Sequence, residues 1–319
     1  MIKRLGVPVL YLCVATAMAS QDAAPNDGQD SAQNTAEQSQ VSTKEPVVAT
    51  TSSSFTLEEK PRFEFGVGGG YIDGFDYPAS NDPNQRSIVL PYFIYRSPRL
   101  RVGGGGVNAI AVENPRVKLD WSIAGSLSSA SEDNSARAGL PNLDYLFEIG
   151  PQLVVNLYDR QIPGVGRVQS QFSAKLRAVF STDFSSVDSQ GFVAASTWRL
   201  NLRAIKGTSI GVFGSLTSTY AAEEIQDYYY EVAPGFENAD RAIYNASAGY
   251  LGTSISLALG SNIHPNVRVF TGVNFGLFAG AKNQSSPLFE TTQSTGFGVG
   301  IIWAIKRSNT TVPVLVSNQ

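Results

Sequence analysis

The only histidine of the chain, His264, is the first residue to consider for catalysis, because an imidazole is the usual base beside a serine nucleophile. It lies in Asn262-Ile263-His264-Pro265-Asn266, between two runs with the pattern of strands. Ser–His catalysis needs a third group that orients the base, and no sequence pattern supplies one. The only cysteine, Cys13, lies in a predicted signal peptide, so the mature chain has no thiol. We therefore predict an exposed turn histidine and no enzymatic activity.

Aspartates and glycine-rich runs are the next candidates, for metals and cofactors. Asp73, Asp76 and Asp82 could hold Ca²⁺ weakly through their carboxylates, but solvation of a loop explains them more simply. The run Gly66–Gly70 lacks the third glycine of the dinucleotide fingerprint, and the run Gly103–Gly106 is not followed by the Lys-Ser/Thr of a phosphate loop. The sequence predicts neither a metal nor a cofactor.

Charged residues that alternate with apolar ones are the most informative set. They fall on one parity of several runs, and that parity would line the interior if the runs close into a barrel. Two interpretations stay open: a self-neutralising lattice that plugs a narrow lumen, and a charged constriction that selects small anionic solutes. The predicted lumen charges are Arg116, Lys118, Asp120, Asp144, Glu148, Lys175, Arg177, Arg199, Arg203 and Arg268.

A run of three tyrosines, Tyr228-Tyr229-Tyr230, falls in a long segment between predicted strands. Aromatic side chains dominate the energetics of protein contacts, so this run is the best candidate for an outer-loop contact surface. An interfacial aromatic belt is the alternative explanation.

The elements that must position these residues have a period of two. From Arg167 to Phe180, charged and polar residues occupy one parity and apolar residues the other, apart from Ser170. Segments 116–128 and 266–281 repeat the pattern. Strict alternation over this length gives each strand one wet and one apolar face, and the runs exceed the 5–6 residues of ordinary soluble strands. Membrane strands need about 9–11 residues in the hydrocarbon, so we predict a transmembrane antiparallel β-barrel.

The number of strands depends on the glycine run Gly103–Gly106, which could reverse the chain and divide segment 99–111 in two. Bacterial single-chain barrels have an even number of strands, so we predict about 12 and keep 10 as a possibility. Long segments at 129–142, 183–189, 222–242 and 282–293 are predicted outside the cell, and short turns at 113–115, 158–166, 206–207 and 263–265 in the periplasm. The candidate strands are 62–72, 86–96, 99–111, 116–128, 143–157, 167–182, 190–205, 208–221, 243–262, 266–281 and 295–306.

The composition of the 319 residues agrees with a barrel. Hydrophobic residues make up 42% of the chain and charged residues only 16%, against about 25% in average soluble domains. A mean hydropathy of −0.07 is too polar for a helical membrane protein and too apolar for a wholly disordered chain. One cysteine excludes a disulfide scaffold, and a net charge of −3 offers no basic footprint for nucleic acid.

The ends of the chain differ from its middle. Residues 1–19 have a basic start, an apolar stretch and a final Ala17-Met18-Ala19, as in a cleaved secretion signal. Residues 20–60 form a predicted disordered acidic tail, with two lysines against seven carboxylates. This tail is either a solvated spacer or a tether that reaches periplasmic partners. The predicted barrel spans 61–306, and 307–319 is a polar C-terminal extension.

Several strings, in order along 62–306, resemble the MipA/OmpV family (MltA-interacting protein family) of outer-membrane proteins. They are Leu90-Pro91-Tyr92-Phe93-Ile94-Tyr95-Arg96, Ala136-Arg137-Ala138-Gly139-Leu140-Pro141-Asn142-Leu143-Asp144, Phe147-Glu148-Ile149-Gly150-Pro151, Tyr228-Tyr229-Tyr230-Glu231-Val232, and Ser286-Pro287-Leu288, together with Pro234, Arg241 and Tyr244.

This resemblance implies a barrel in the outer membrane of a Gram-negative bacterium, in contact with its lipid. It further implies a non-enzymatic scaffold for murein-remodelling enzymes, with a lytic transglycosylase and a penicillin-binding synthase as possible partners. A small-solute or antibiotic uptake pore and a surface adhesin are the alternatives.

Overall fold

A computed structural model describes residues 55–97, 99–103, 107–114, 116–126 and 129–317. The predicted signal peptide at 1–19 and residues 20–54 of the predicted tail lie outside the described residues. Fourteen strands and one α-helix, α1 (Glu223–Tyr230), follow in chain order. The strands are β1 Phe55–Pro61, β2 Phe63–Phe75, β3 Pro83–Arg96, β4 Leu100–Val102, β5 Val107–Glu113, β6 Val117–Ser126, β7 Tyr145–Ile162, β8 Gly166–Thr182, β9 Val187–Arg203, β10 Ile210–Ala221, β11 Gly249–His264, β12 Val267–Leu277, β13 Gln293–Arg307 and β14 Thr311–Ser317.

Strands β2 to β13 form a closed antiparallel barrel of twelve strands, in which each strand pairs with its neighbours in sequence. The ring closes where β13 pairs with β2, with Val299 opposite Tyr71. Closure leaves the barrel without the free edges of an open sheet, except beside one short hairpin described below. The predicted fold class and the predicted strand number of twelve are confirmed.

The alternation seen in the sequence divides the wall into two faces. On β13, Ile301 and Trp303 face outward and are 47% and 54% exposed, whereas Ile302 and Ala304 between them are buried inside at 7% and 4%. Exposed leucine, valine, isoleucine and phenylalanine side chains continue this outer belt around the barrel, including Phe147 on β7. An apolar belt of this kind faces lipid in transmembrane barrels.

The glycine run divides the candidate strand 99–111, as predicted, into β4 and β5. Both strands are short, and only Tyr95 and Arg96 of β3 pair with β4. Gly103 has φ = 124°, and a Cβ at this position would lie 2.7 Å from Cγ1 of Ile94. A glycine is therefore needed where the hairpin folds back against β3.

Long and short connections lie at opposite ends of the barrel, since consecutive antiparallel strands reverse direction. Segments 76–82, 129–144, 222–248 and 278–292 lie at one end, whereas the turns 163–165 and 265–266 lie at the other with both chain ends. The predicted turn 158–166 is shorter than expected because β7 continues to Ile162. No described helix is long and apolar enough to cross a membrane.

Both ends of the chain differ from the sequence-based expectation. Residues 55–60 of the predicted disordered tail belong to β1, which pairs along its length with β14 from the predicted polar extension. Lys60 is buried, and the backbone N–H of Arg62 donates to Thr310 at 2.9 Å. The average composition of a long polar segment conceals this short strand, whose partner lies 250 residues away. The two strands form a separate ribbon beside the barrel, called here the terminal ribbon.

Candidate functional site: a charged lumen under a loop cap

Most of the predicted lumen charges lie on strands and on the inward-facing parity. The inward direction follows from the buried neighbours on the same parity, such as Ser122 on β6 and Thr197 on β9. The predicted residues that the structure places on this face are Lys118, Asp120, Glu148, Lys175, Arg177, Arg199, Arg203 and Arg268.

Two ion pairs lie on the inward faces of β6, β7 and β8, one within β6 and one that joins β8 to β7. The Lys118 ammonium lies 2.8 Å from the fully buried carboxylate of Asp120. Arg177 donates to Glu148 at 3.1 Å and to the hydroxyl of Ser122 at 3.0 Å. Because buried charges are stable only with partners, these contacts support the lattice interpretation for this part of the wall.

The same wall carries more cations than carboxylates. Lys175, Arg199 and Arg203 extend the cationic surface across β8 and β9. The guanidinium of Arg199 lies 5.8 Å from the centre of the Phe213 ring on β10, within the range of a cation–π contact. The Arg167–Asp159 ion pair, at 2.8 Å, lies on the same inner surface, where cations outnumber carboxylates. A surplus of cations attracts anions, as the second interpretation of the lumen charges requires.

A second charged cluster lies at the end of the barrel that carries the chain termini. Glu64 is buried between Arg96, at 2.9 Å, and Arg307, at 3.4 Å. Arg96 also donates to the carbonyl of Pro61 at 2.9 Å, which joins the cluster to the terminal ribbon. These three residues are far apart in sequence and were not among the predicted lumen charges. In the sequence, only their position on the inward parity of their strands indicated that they lie in the lumen.

Two predicted lumen residues lie elsewhere. Arg116 is exposed in the turn before β6, because this strand begins only at Val117. Asp144 precedes β7 at the rim of the barrel, and its backbone carbonyl accepts a hydrogen bond from Tyr228 at 2.8 Å. The alternating pattern in the sequence began these two predicted strands one or two residues before the strands begin in the structure. Arg268 is at the opposite end, where its Nε donates to Asn262 at 3.2 Å.

The long segments at the other end pack into a compact layer, called here the loop cap. Its apolar core joins α1 and Val232, in one connection, to Tyr77, Leu143 and Leu288 in three others. The hydroxyl of Tyr77 donates to the carbonyl of Leu288 at 2.8 Å. The cap therefore covers the mouth of the barrel with loops that are distant in sequence.

The tyrosine run is part of this core, so the prediction of a contact surface at Tyr228, Tyr229 and Tyr230 is wrong. Tyr229 and Tyr230 are 3% and 1% exposed, and Tyr228 is half-buried. Burial raises the pKa of the Tyr229 and Tyr230 phenols well above the usual value. The hydroxyl of Tyr230 donates to the carbonyl of Pro78 at 2.8 Å. The run forms most of the last turn of α1, whose aromatic face the other loops cover.

Two buried arginines join the segments of the loop cap by hydrogen bonds to carbonyls. Arg137 donates to the carbonyls of Tyr229 at 3.0 Å and Pro141 at 3.2 Å, and its guanidinium lies 5.6 Å from the Tyr77 ring. Arg241 donates to the carbonyls of Ala136 and Ala138 at 2.9 and 3.0 Å. Both arginines are among the residues that resemble the family, Arg137 within a string and Arg241 as a single position, but the sequence predicted no role for either.

Polar side chains complete the cap. Asn283 donates to Gln226 at 2.9 Å and to the carbonyl of Ser247 at 3.0 Å, while its oxygen accepts from the N–H of Ser247 at 3.0 Å. Both Asn283 and Gln226 are 1% exposed. A buried amide network with all of these bonds made favours one arrangement of the loops.

The residues considered for metals and catalysis serve local structure. Asp76 accepts hydrogen bonds from Ser129 and Asn134, and thus joins two loops of the cap. Within the described ranges, no group of three His, Cys, Asp or Glu side chains is placed to hold a metal ion. His264 is exposed at the end of β11, as predicted, and its Nδ1 accepts from the N–H of Asn266 at 3.2 Å.

A family model described as MltA-interacting protein MipA matches residues 65–305. No curated protein sequence matches the chain significantly. Three solved structures are similar to the chain over most of its length. The translocator domain of the autotransporter NalP from Neisseria meningitidis has 8% identity and a TM-score of 0.40, and the alignment covers 76% of this chain and 88% of that one. An active-site mutant of outer membrane phospholipase A from Escherichia coli has 14% identity and a TM-score of 0.32, with 82% and 94% covered. A bacterial polysaccharide outer membrane secretin has 7% identity and a TM-score of 0.35, with 76% and 99% covered.

Proposed function

The chain belongs to the MltA-interacting protein MipA family, and we propose that it is a non-enzymatic scaffold for murein-remodelling enzymes in the outer membrane of a Gram-negative bacterium. Its partners are a lytic transglycosylase and a penicillin-binding synthase. The family description names an interaction with MltA, and the apolar belt of the barrel fits contact with membrane lipid. In this proposal residues 1–19 direct export, and the acidic tail 20–54 extends into the periplasm with the chain ends.

The terminal ribbon is the observation that carries the proposal. It lies at the end of the barrel with the short turns and both termini, the periplasmic end in barrels of this type. Seven residue pairs join β1 and β14, and the ribbon contains these two strands alone. A two-stranded ribbon is marginally stable by itself and has two edges open to a further strand. Strand addition from a partner would satisfy these edges.

A binding experiment tests the scaffold. The full-length protein carries an affinity tag in a loop at the end of the barrel that bears the loop cap, and it is purified from cross-linked envelopes. We expect a transglycosylase or a penicillin-binding synthase to be recovered with it. Leu57→Pro removes a backbone donor from the free edge of β1, where a partner strand would add. The N–H of Arg62 donates to Thr310, so the N–H groups of odd-numbered residues of β1 point away from β14. Leu57→Ala is the matched control, since it shortens the side chain and keeps the N–H. Recovery is expected to fall with Leu57→Pro and to persist with Leu57→Ala. Repeated recovery of neither enzyme by the unaltered protein contradicts the proposal.

A small-solute or antibiotic uptake pore is the second candidate, and the cationic wall of β8 and β9 favours it. Anions would be attracted to Lys175, Arg199 and Arg203, while the loop cap would control entry from outside. Planar-bilayer recordings of the purified barrel test this function. Discrete, anion-selective conductance steps would support it, and their absence would contradict it. The tyrosines on which the adhesin alternative depended are not available for binding, because Tyr229 and Tyr230 are buried in the cap.

A further inference from the structure

The described part of the barrel wall has few pairings beside the hairpin β4–β5. Among the described residues, β3 pairs with β4 only through Tyr95 and Arg96, so the stretch Pro83–Ile94 has no strand partner on that side. On the far side of the hairpin, the pairing of β5 with β6 ends at Val107 opposite Ile123. One edge of β3 is therefore open over most of its length, while its other edge pairs continuously with β2.

The direction of the hydrogen bonds identifies the groups at this edge. The N–H of Arg96 donates toward β2, to Arg62 at 2.7 Å, and the N–H of Ser97 donates toward β4, to Leu100 at 2.9 Å. Successive residues of a strand point to opposite neighbours, so odd-numbered residues of β3 point to the open edge. Pro83 and Pro91 are both odd-numbered. Proline has no N–H, and it is tolerated in sheets at such edges.

Exposure shows where the opening lies. Val89 and Leu90 are consecutive residues of β3, so one faces outward and the other inward, yet they are 76% and 50% exposed. Further along the inward face, Tyr92 and Ile94 fall to 8% and 5%. Leu90 is the only large apolar side chain on the inward parity of a described barrel strand that reaches such exposure. Leu90 is therefore exposed although it faces inward, next to the open edge of β3.

The opening connects the lipid-facing belt to an apolar part of the lumen. Across β2, Val89 is in register with Gly69 and then with Ile301 of the outer belt. Leu90 is in register with Gly68 and then with Ile302, which packs inside the barrel with Tyr92, Ile94 and Ala304. A Cβ at Gly68 would lie 3.6 Å from Cγ1 of Ile302, in ordinary van der Waals contact. The inner surface beside Leu90 is therefore apolar.

We propose that this opening, lined by Ile88, Val89 and Leu90, is a lateral portal through which an acyl chain of membrane lipid enters the lumen. Its apolar lining is continuous with the lipid-facing belt, so an acyl chain would contact apolar side chains on both sides of β3. A strand from a second copy would need a row of donors along the edge. Pro83 and Pro91 remove two donors from that row, which disfavours the addition of a strand.

Quenching of tryptophan fluorescence by brominated acyl chains tests the portal. The three native tryptophans are first replaced by phenylalanine (Trp121→Phe, Trp198→Phe, Trp303→Phe) in the full chain. Leu90→Trp is then reconstituted in vesicles of phosphatidylcholine with brominated acyl chains. Val299→Trp, on the outer belt, is the control exposed to lipid, and Ser215→Trp, on the inward parity of β10, is the control inside the lumen.

We expect the Leu90→Trp signal to be quenched nearly as strongly as that of Val299→Trp, and several-fold more than that of Ser215→Trp. Quenching no stronger than in Ser215→Trp overturns the proposal. Strong quenching by aqueous acrylamide without quenching by the lipid also overturns it, since the opening would then hold water. A cross-linked dimer that protects position 90 would show that a second copy occupies the edge instead.

A second position keeps the test decisive if Leu90→Trp fails to fold. Ile88→Trp lies on the same face of β3, one inward position further from the hairpin, and the same order of quenching is expected. Folding of each variant is checked by the heat-dependent mobility of the barrel in detergent gels. A folded Ile88→Trp variant without quenching by brominated lipid would contradict the portal.

Discussion

The loop cap should open when Arg137 loses its guanidinium. Arg137→Met keeps much of the side-chain length but removes the donors to the carbonyls of Tyr229 and Pro141. Pro141 keeps a second donor, the hydroxyl of Ser131 at 2.6 Å, whereas no second donor to the buried Tyr229 carbonyl is described. A hydrogen bond to a charged group contributes about 1.5–3 kcal/mol, and an unsatisfied buried acceptor costs about 1–3 kcal/mol. The contact with the Tyr77 ring is lost as well, so opening of the cap should become easier by about 3 kcal/mol.

Hydrogen exchange followed by mass spectrometry measures this effect. An increase of 3 kcal/mol corresponds to about 100-fold faster exchange of the amides of α1 and of segment 129–144. Amides of β12 should be unaffected, because local opening does not need the barrel to unfold. Arg160→Met is the matched control, since Arg160 is an exposed residue of β7 whose guanidinium lies over the Tyr158 ring. Unchanged exchange in α1 of Arg137→Met would refute the assignment of Arg137 as a tie between loops.

Three further predictions concern the cap and the lumen. Burial and the nearby carboxylates of α1 raise the pKa of Asp227 to about 6, so the folded cap binds this proton more tightly than the unfolded chain. Its stability should therefore fall as pH rises from about 4 to 6, and Asp227→Asn should remove this dependence, as measured by hydrogen exchange at each pH. Gly300→Val should displace the Phe270 ring, since a Cβ at position 300 would lie 2.3 Å from Cζ of that ring. The free energy of unfolding of the barrel, measured in urea, should fall by about 1–3 kcal/mol. Gly68→Ala is the control and should leave it unchanged. Asp120→Asn should cost about 2 kcal/mol in the same assay, because it leaves a lysine in the wall without its charged partner.

Local pattern was enough to predict the barrel. The alternation of segment 266–281 identifies β12, and Gly103–Gly106 marks the reversal that divides β4 from β5. The same parity places Glu148 and Arg177 on the inner surface, where the structure joins them at 3.1 Å. Each of these features depends on neighbours in sequence, or on the rule that successive side chains of a strand face opposite sides.

The cap and the ribbon depend on contacts between distant parts of the chain, which a single sequence does not display. Tyr230 is buried because Pro78 and other loop residues meet it from far along the chain. Because the sequence does not show these contacts, the three tyrosines in a polar segment were predicted to be exposed. Likewise, Leu57 and Leu315 pair across almost the whole chain, and neither strand alone has a pattern that names its partner.

Binding by the purified protein tests the proposed scaffold most directly. The full chain in lipid nanodiscs is immobilised, and a purified lytic transglycosylase and penicillin-binding synthase are applied separately. The proposal predicts saturable binding of at least one enzyme, lost with Leu57→Pro and retained with Leu57→Ala. Binding of neither enzyme, or equal binding by both variants with an intact barrel, would contradict a scaffold that acts through its terminal ribbon.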